Sequence, residues 1–151
     1  MKDRKVIDQI KTTLGEGVVG VEEKSPRRLF VEVTPGSVVE ASRLMFEGLG
    51  ARFQIASGVD TPDAIEILYH WALDGVDCVV TLRTQLGRDD PEIESIVAVC
   101  PAAEWIEREM WELLGIRFLN HPDLRHLLLD DNWQEGQFPL RRDYERETGH
   151  E

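Results

Sequence analysis

Three strand-like runs in close succession, at residues 51–57, 64–73 and 76–82, restrict this chain more than any other feature. They are rich in β-branched and aromatic residues. Asp74-Gly75 sits between the second and third as a two-residue hairpin signal, and 58–63, with Pro62, forms a looser link between the first two. Sequential strands joined this closely pair antiparallel, as a meander. A meander with one apolar face needs a second layer to cover it, and the rest of the sequence supplies helices.

Residues 2–14 place Val6, Ile7, Ile10 and Leu14 at helical spacing and end at Gly15. Residues 18–23 and 28–33 are β-rich runs separated by Ser25-Pro26. After the break at Thr34-Pro35-Gly36, Ser37 offers an N-cap to a helix over 38–49, with Val38, Ala41, Leu44, Met45 and Leu49 on one side and Gly48 and Gly50 closing it. Residues 93–99 fit either a strand or a helix. Strands and helices do not alternate regularly, so the expected fold is α+β, a mixed and largely antiparallel sheet with helices mainly on one face. At 151 residues the chain makes one domain, expected over 1–129. Residues 130–151 contain few core formers and read as an extended C-terminal docking tail with Trp133 and Phe138-Pro139-Leu140 as anchors.

The next constraint lies at 101–129, PAAEWIEREMWELLGIRFLNHPDLRHLLL. A helix over 101–114 puts Trp105, Ile106, Met110, Leu113 and Leu114 on one broad face, and Glu109 falls among them. A buried carboxylate needs a partner. Arg117 or Arg125, folding back, could provide one inside the chain; otherwise the partner is another protein. Glu104, Arg108 and Glu112 are spaced four apart and read as an exposed ion-pair ladder. Glu109 and His121 could form an acid–base or metal-binding pair, but a histidine directly before Pro122 more simply caps a loop.

Other chemistry is poorly supported. Gly15-Glu16-Gly17-Val18-Val19-Gly20 matches GxGxxG, but it follows a helix and precedes a strand, the reverse of a dinucleotide-binding turn. His70, in a strand-like run, reads as a sheet residue. Cys78 and Cys100 fit no metal or cluster spacing and read as buried thiols of a reducing compartment. The net charge of −12, concentrated in the second half, argues against nucleic acid or anionic lipid as direct partners. No run approaches the length of a membrane span. These features point to a protein kept in the cytoplasm.

Glu107-Arg108-Glu109, Glu112-Leu113-Leu114-Gly115-Ile116, Phe118, His121-Pro122, Leu124-Arg125 and Leu127-Leu128 together resemble the signature of the 30 kDa (C) subunit family of respiratory NADH dehydrogenase, complex I. Related subunits of energy-converting NiFe hydrogenases and formate hydrogenlyases share it. Pro139-Leu140-Arg141-Arg142-Asp143-Tyr144 is similar to the family's closing motif, and Ile67-Leu68-Tyr69-His70 to its central strand. The resemblance covers 91–144 most specifically, with little to match before Ala51.

The resemblance implies a hydrophilic, non-catalytic subunit of a membrane-associated oxidoreductase, lying peripheral to the cytoplasmic membrane. Such a subunit binds no cofactor itself. It packs against a hydrogenase-like large (49 kDa-type) subunit, near iron–sulfur subunits that carry the clusters, with a NiFe or quinone site in the partners. Glu107, Arg108, Glu109, Glu112, His121, Pro122, Arg125, Arg141, Arg142 and Asp143 are then signature and interface residues. Asn120 departs from the glycine many members carry before His-Pro, which puts the local turn in question. The short chain and the segment 88–96 incline towards the hydrogenase-type branch. The alternative from a different class is a free-standing enzyme using Glu109 and His121, with or without a metal.

Overall fold

The computed structural model describes residues 2–145; the end of the expected tail, 146–151, lies outside the described residues. Helix α1 (Lys2–Leu14) leads through a single turn at Gly15–Gly17 into β1 (Val18–Ser25) and β2 (Arg28–Val33). The glycine motif is therefore a plain turn. A Cβ at Gly17 would lie 2.2 Å from the Ser37 hydroxyl, so the close approach of the next connection requires glycine there.

Helix α2 (Val38–Arg43) is half the expected length and runs on as a wide π-helical turn, Leu44–Gly48, closed by Leu49 N–H to Leu44 O. Val38, Ala41 and Met45 are buried as the spacing predicts. Ser37 does not cap the helix with its side chain; its hydroxyl lies 2.9 Å from that of Thr34 instead.

The meander is present as β3 (Arg52–Asp60), β4 (Ile65–Leu73) and β5 (Cys78–Leu86). Asp74-Gly75 is not a two-residue turn: a 3-10 turn, Asp74–Val76, is followed by Asp77 with φ 55°, which delays β5 by two residues. The five strands form one sheet in the order β1-β2-β5-β4-β3. Only β2 and β5 are parallel, with Leu29 opposite Val80 and Val31 opposite Leu82. Period-2 alternation puts Leu29, Val31, Ile67, Tyr69, Trp71, Val80 and Leu82 on one buried face, in one core with Ile10, Val38, Met45, Met110 and Leu114 from the helices. The opposite face is half-buried and carries the cross-strand pair His70–Thr81, whose side chains meet at 2.9 Å. This makes His70 a sheet residue, its pKa lowered by burial and by nearby Arg28.

After β5 a two-stranded parallel ribbon, β6 (Glu92–Glu94) with β7 (Arg117–Leu119), flanks helix α3 (Glu104–Leu114), which follows a 3-10 turn at Pro101–Ala103. Cys78 and Cys100 are both buried. Among the described residues no helix is long and apolar enough to cross a membrane.

Candidate functional site

Helix α3 turns a different face inward from the one its apolar spacing predicts. Trp105 is 67% exposed, and Glu109 is half-buried. Glu107, Arg108 and Glu112 are buried alongside Met110 and Leu114. Apolar periodicity misassigns this face because the polar side chains reach unpaired backbone groups of neighbouring segments, which offset their desolvation.

Glu107 accepts the Ser95 hydroxyl at 2.6 Å and the Ile96 N–H at 2.8 Å, while Ser95 Oγ accepts the Val97 N–H at 3.1 Å. The carboxylate thus ties the strand-to-helix connection to α3. Burial pushes its pKa up to about 7; the Ser95 and Ile96 bonds oppose that, and the charge of Glu94 adds to it. The Tyr69 hydroxyl, fully buried, is raised well above the ordinary value by desolvation and by the charge of Glu107.

Arg108 and Glu112 do not form the expected ladder. Arg108 donates to the carbonyls of Arg125 and His126 at 3.0 and 2.6 Å. Glu112 accepts hydrogen bonds from the N–H groups of Leu127 and Leu128 at 3.0 and 2.7 Å and from the His126 ring at Nδ1 at 3.1 Å, with Leu129 N–H at 3.4 Å. Two side chains one helical turn apart therefore hold both polarities of the loop backbone, donors on Glu112 and acceptors on Arg108. Desolvation alone would raise the Glu112 pKa, but the Leu127, Leu128, His126 and Leu129 donors outweigh it and hold it below the usual value. The His126 ring lies against Trp111 with centroids 5.2 Å apart.

His121 spends both ring nitrogens on backbone. Nδ1 accepts the Asp123 N–H at 3.0 Å, which leaves Nε2–H to donate to Glu104 O at 3.0 Å. It caps the loop, and Pro122 follows. Asn120 has φ 60°, the left-handed backbone that glycine adopts freely and asparagine tolerates, and its amide donates to Glu94 at 2.6 Å. Neither arginine expected to reach Glu109 does so: Arg117 pairs with Asp90 and Glu92, and Arg125 with Asp123. No hydrogen bond among the described residues joins Glu109 to His121. No group of three or more histidine, cysteine or carboxylate side chains among them is arranged to hold a metal ion.

The closing segment is laid against this helix. Gly115 ends α3 in the left-handed conformation (φ 75°), and a Cβ there would lie 2.6 Å from the Phe138 ring. Leu140 N–H donates to Leu113 O at 3.0 Å, Arg141 Nη2 to Arg88 O at 2.8 Å and Arg142 N–H to Asp60 Oδ2 at 2.7 Å. Asp60 is in turn ion-paired to Arg88. Trp133 stacks on Tyr144 and donates to Gln137 O at 2.7 Å. Arg142 and Asp143 are exposed. No spacing rule marks Ser95, Asp60 or Arg88, since each meets its partner across a long stretch of chain.

The family model described as "Respiratory-chain NADH dehydrogenase, 30 Kd subunit" matches residues 31–149, so the resemblance begins well before Ala51. The chain is 38% identical to the C subunit of F(420)H(2) dehydrogenase from Methanosarcina mazei over 152 residues, which cover 96% of this chain and 93% of that one. It is 46% identical to the C/D subunit of NADH-quinone oxidoreductase from Methylococcus capsulatus over 81 residues, 54% of this chain but only 14% of that protein. Its fold superimposes with a TM-score of 0.84 on a chain in the structure of the membrane-bound sulfane sulfur reductase, an archaeal respiratory membrane complex, at 22% identity and covering 96% and 86% of the two chains. The buried signature on α3, the closing motif packed beside it and the match over 31–149 agree: the chain belongs to the family of the respiratory-chain NADH dehydrogenase 30 Kd subunit.

Proposed function

We propose that this chain is a non-catalytic subunit of a membrane-associated, multi-subunit oxidoreductase and supports assembly of its electron-transfer arm. One observation carries the non-catalytic part: Glu107, Arg108, Glu112 and His121, the most reactive-looking side chains of the signature, are all committed to backbone groups of this chain. They hold a shape rather than face a substrate. The names of the relatives support the subunit role, since they are subunits of F(420)H(2) dehydrogenase and of NADH-quinone oxidoreductase.

The partners in this reading are a hydrogenase-like large subunit and iron–sulfur subunits, which carry the cofactors, and the complex sits peripherally on the cytoplasmic side of the membrane. The relative matched over nearly the whole chain belongs to an F(420)H(2) dehydrogenase, a branch outside the NADH and hydrogenase types that the signature suggested. The test is coexpression of the tagged chain with its natural neighbours. Recovery of a hydrogenase-like large subunit at one-to-one stoichiometry is the expected result, and its absence from the purified material would overturn the reading.

A further inference from the structure

The two edges of the five-stranded sheet are guarded differently. Strand β1 carries Glu22, Glu23 and Lys24, the kind of charge that deters edge-to-edge pairing. Strand β3, at the other edge, has no charged residue from 53 to 59 and no proline. Among the described residues no backbone hydrogen bond joins 53–59 to any element except β4. Between its charged ends, Arg52 and Asp60, the outer side of β3 is left open to pairing.

Beside it, β3 and α3 enclose a groove of about 320 Å³ whose lining is apolar apart from Ser57 and Glu109. Ile55 and Leu140 stand on its rim, 49% and 60% exposed, and Trp105, one helical turn before Glu109 on α3, is exposed too. Exposed large apolar side chains gathered at one groove mark a surface that another protein covers. Glu109 is the one charged side chain in the lining and has neither a hydrogen bond nor an ion pair among the described residues. Covering it with apolar chain alone would desolvate an unpaired carboxylate; a cation on the covering segment offsets that cost, because the N–H groups of an added strand are taken up in pairing with β3.

We propose that this groove takes an extended, apolar segment of the large partner subunit, added as a strand along β3 and carrying an arginine or lysine that pairs with Glu109. The assignment rests on the assembly reading above. Main-chain pairing along β3 supplies affinity, and the Glu109 pair fixes the register of the added strand.

The test uses the coexpressed complex, with a photo-crosslinking phenylalanine analogue placed at Ile55 or, as a control on the guarded edge, at Val19. The expected product at Ile55 is a crosslink to one large-subunit peptide that is apolar and contains an arginine or lysine, with none from Val19. Glu109→Arg should then lower recovery of the large subunit by about tenfold or more, without changing the melting temperature of the free chain. Exchanging the identified basic residue for glutamate should restore recovery. Crosslinks to a second copy of this chain or to an iron–sulfur subunit, or a charge exchange that fails to restore assembly, would overturn the groove assignment alone. If the wild-type chain recovers no large subunit, the assembly reading falls first and takes this one with it.

Discussion

Two buried carboxylates sit five residues apart on α3 and are treated in opposite ways. Glu107 has two donors, a hydroxyl and one N–H, and burial wins: its pKa rises to about 7. Glu112 has almost no exposed surface either, but it lies less deep and gathers three backbone N–H groups and the His126 ring, and the donors win. Depth and the number of donors aimed at a carboxylate together decide whether it is stored as an acid or as an anion. The difference also separates two jobs. The Glu107 end fixes a connection that precedes the helix; the Glu112 end clamps a loop and, through Gly115, the closing segment that follow it.

The sharpest way to break this contrast is Glu112→Ala, which removes the acceptor of three part-buried N–H groups and of the His126 ring at once and should lower unfolding free energy by about 3 kcal/mol. Urea denaturation followed by tryptophan fluorescence measures it, and a loss no greater than that of an exposed glutamate would refute the clamp. Gly115→Ala should cost about 2 kcal/mol, because it forces a left-handed alanine into the space of the Phe138 ring. Limited proteolysis should then release the closing segment before the core is cut. Cleavage at the wild-type rate would mean that Phe138 is not held there.

The smallest effect at neutral pH, and the most diagnostic, belongs to Glu107→Gln. The folded pKa of about 7 lies above that of an exposed glutamate, so the folded state holds an extra proton between about 4.5 and 7. Stability contributed by this group therefore falls as pH rises through that window. Glutamine keeps an acceptor for the Ile96 N–H and has no proton to lose, so the variant should lack this slope and exceed the wild type in stability at pH 8. Glu112, with a depressed pKa, contributes the reverse dependence: its stabilisation is present above the unfolded value and is lost as pH falls through the folded one. A urea midpoint with the same pH dependence from pH 5 to 8 in Glu107→Gln and in the wild type would contradict the Glu107 assignment, since the opposing contribution of His70 is common to both.

Much of this molecule is legible in the sequence because local pattern and long-range packing agree. The alternation in β4 and β5 marks the buried face, and α1 runs over the residues its spacing predicts. The family signature is legible too, and so is the capping role of His121. The burial of α3 is not legible, because Glu107 and Glu112 are placed by donors on segments 95–96 and 126–129, and no helical periodicity encodes those distant N–H groups. The Asp74-Gly75 turn differs from the hairpin signal because residues 74–76 form a 3-10 turn and the chain adds a left-handed Asp77 before β5 starts.

The single parallel pairing in the sheet has a consequence for synthesis on the ribosome. Strand β2 can form its hairpin with β1 as soon as both emerge, but its other side stays unsatisfied until β5 has been translated, after α2, β3 and β4. The nascent chain must therefore shelter an apolar strand, Leu29, Val31 and Val33 included, while residues 34–86 are translated. Closing that contact late raises contact order and slows folding, so the interval before Val80 reaches Leu29 is when this subunit is most exposed to aggregation and to capture by chaperones.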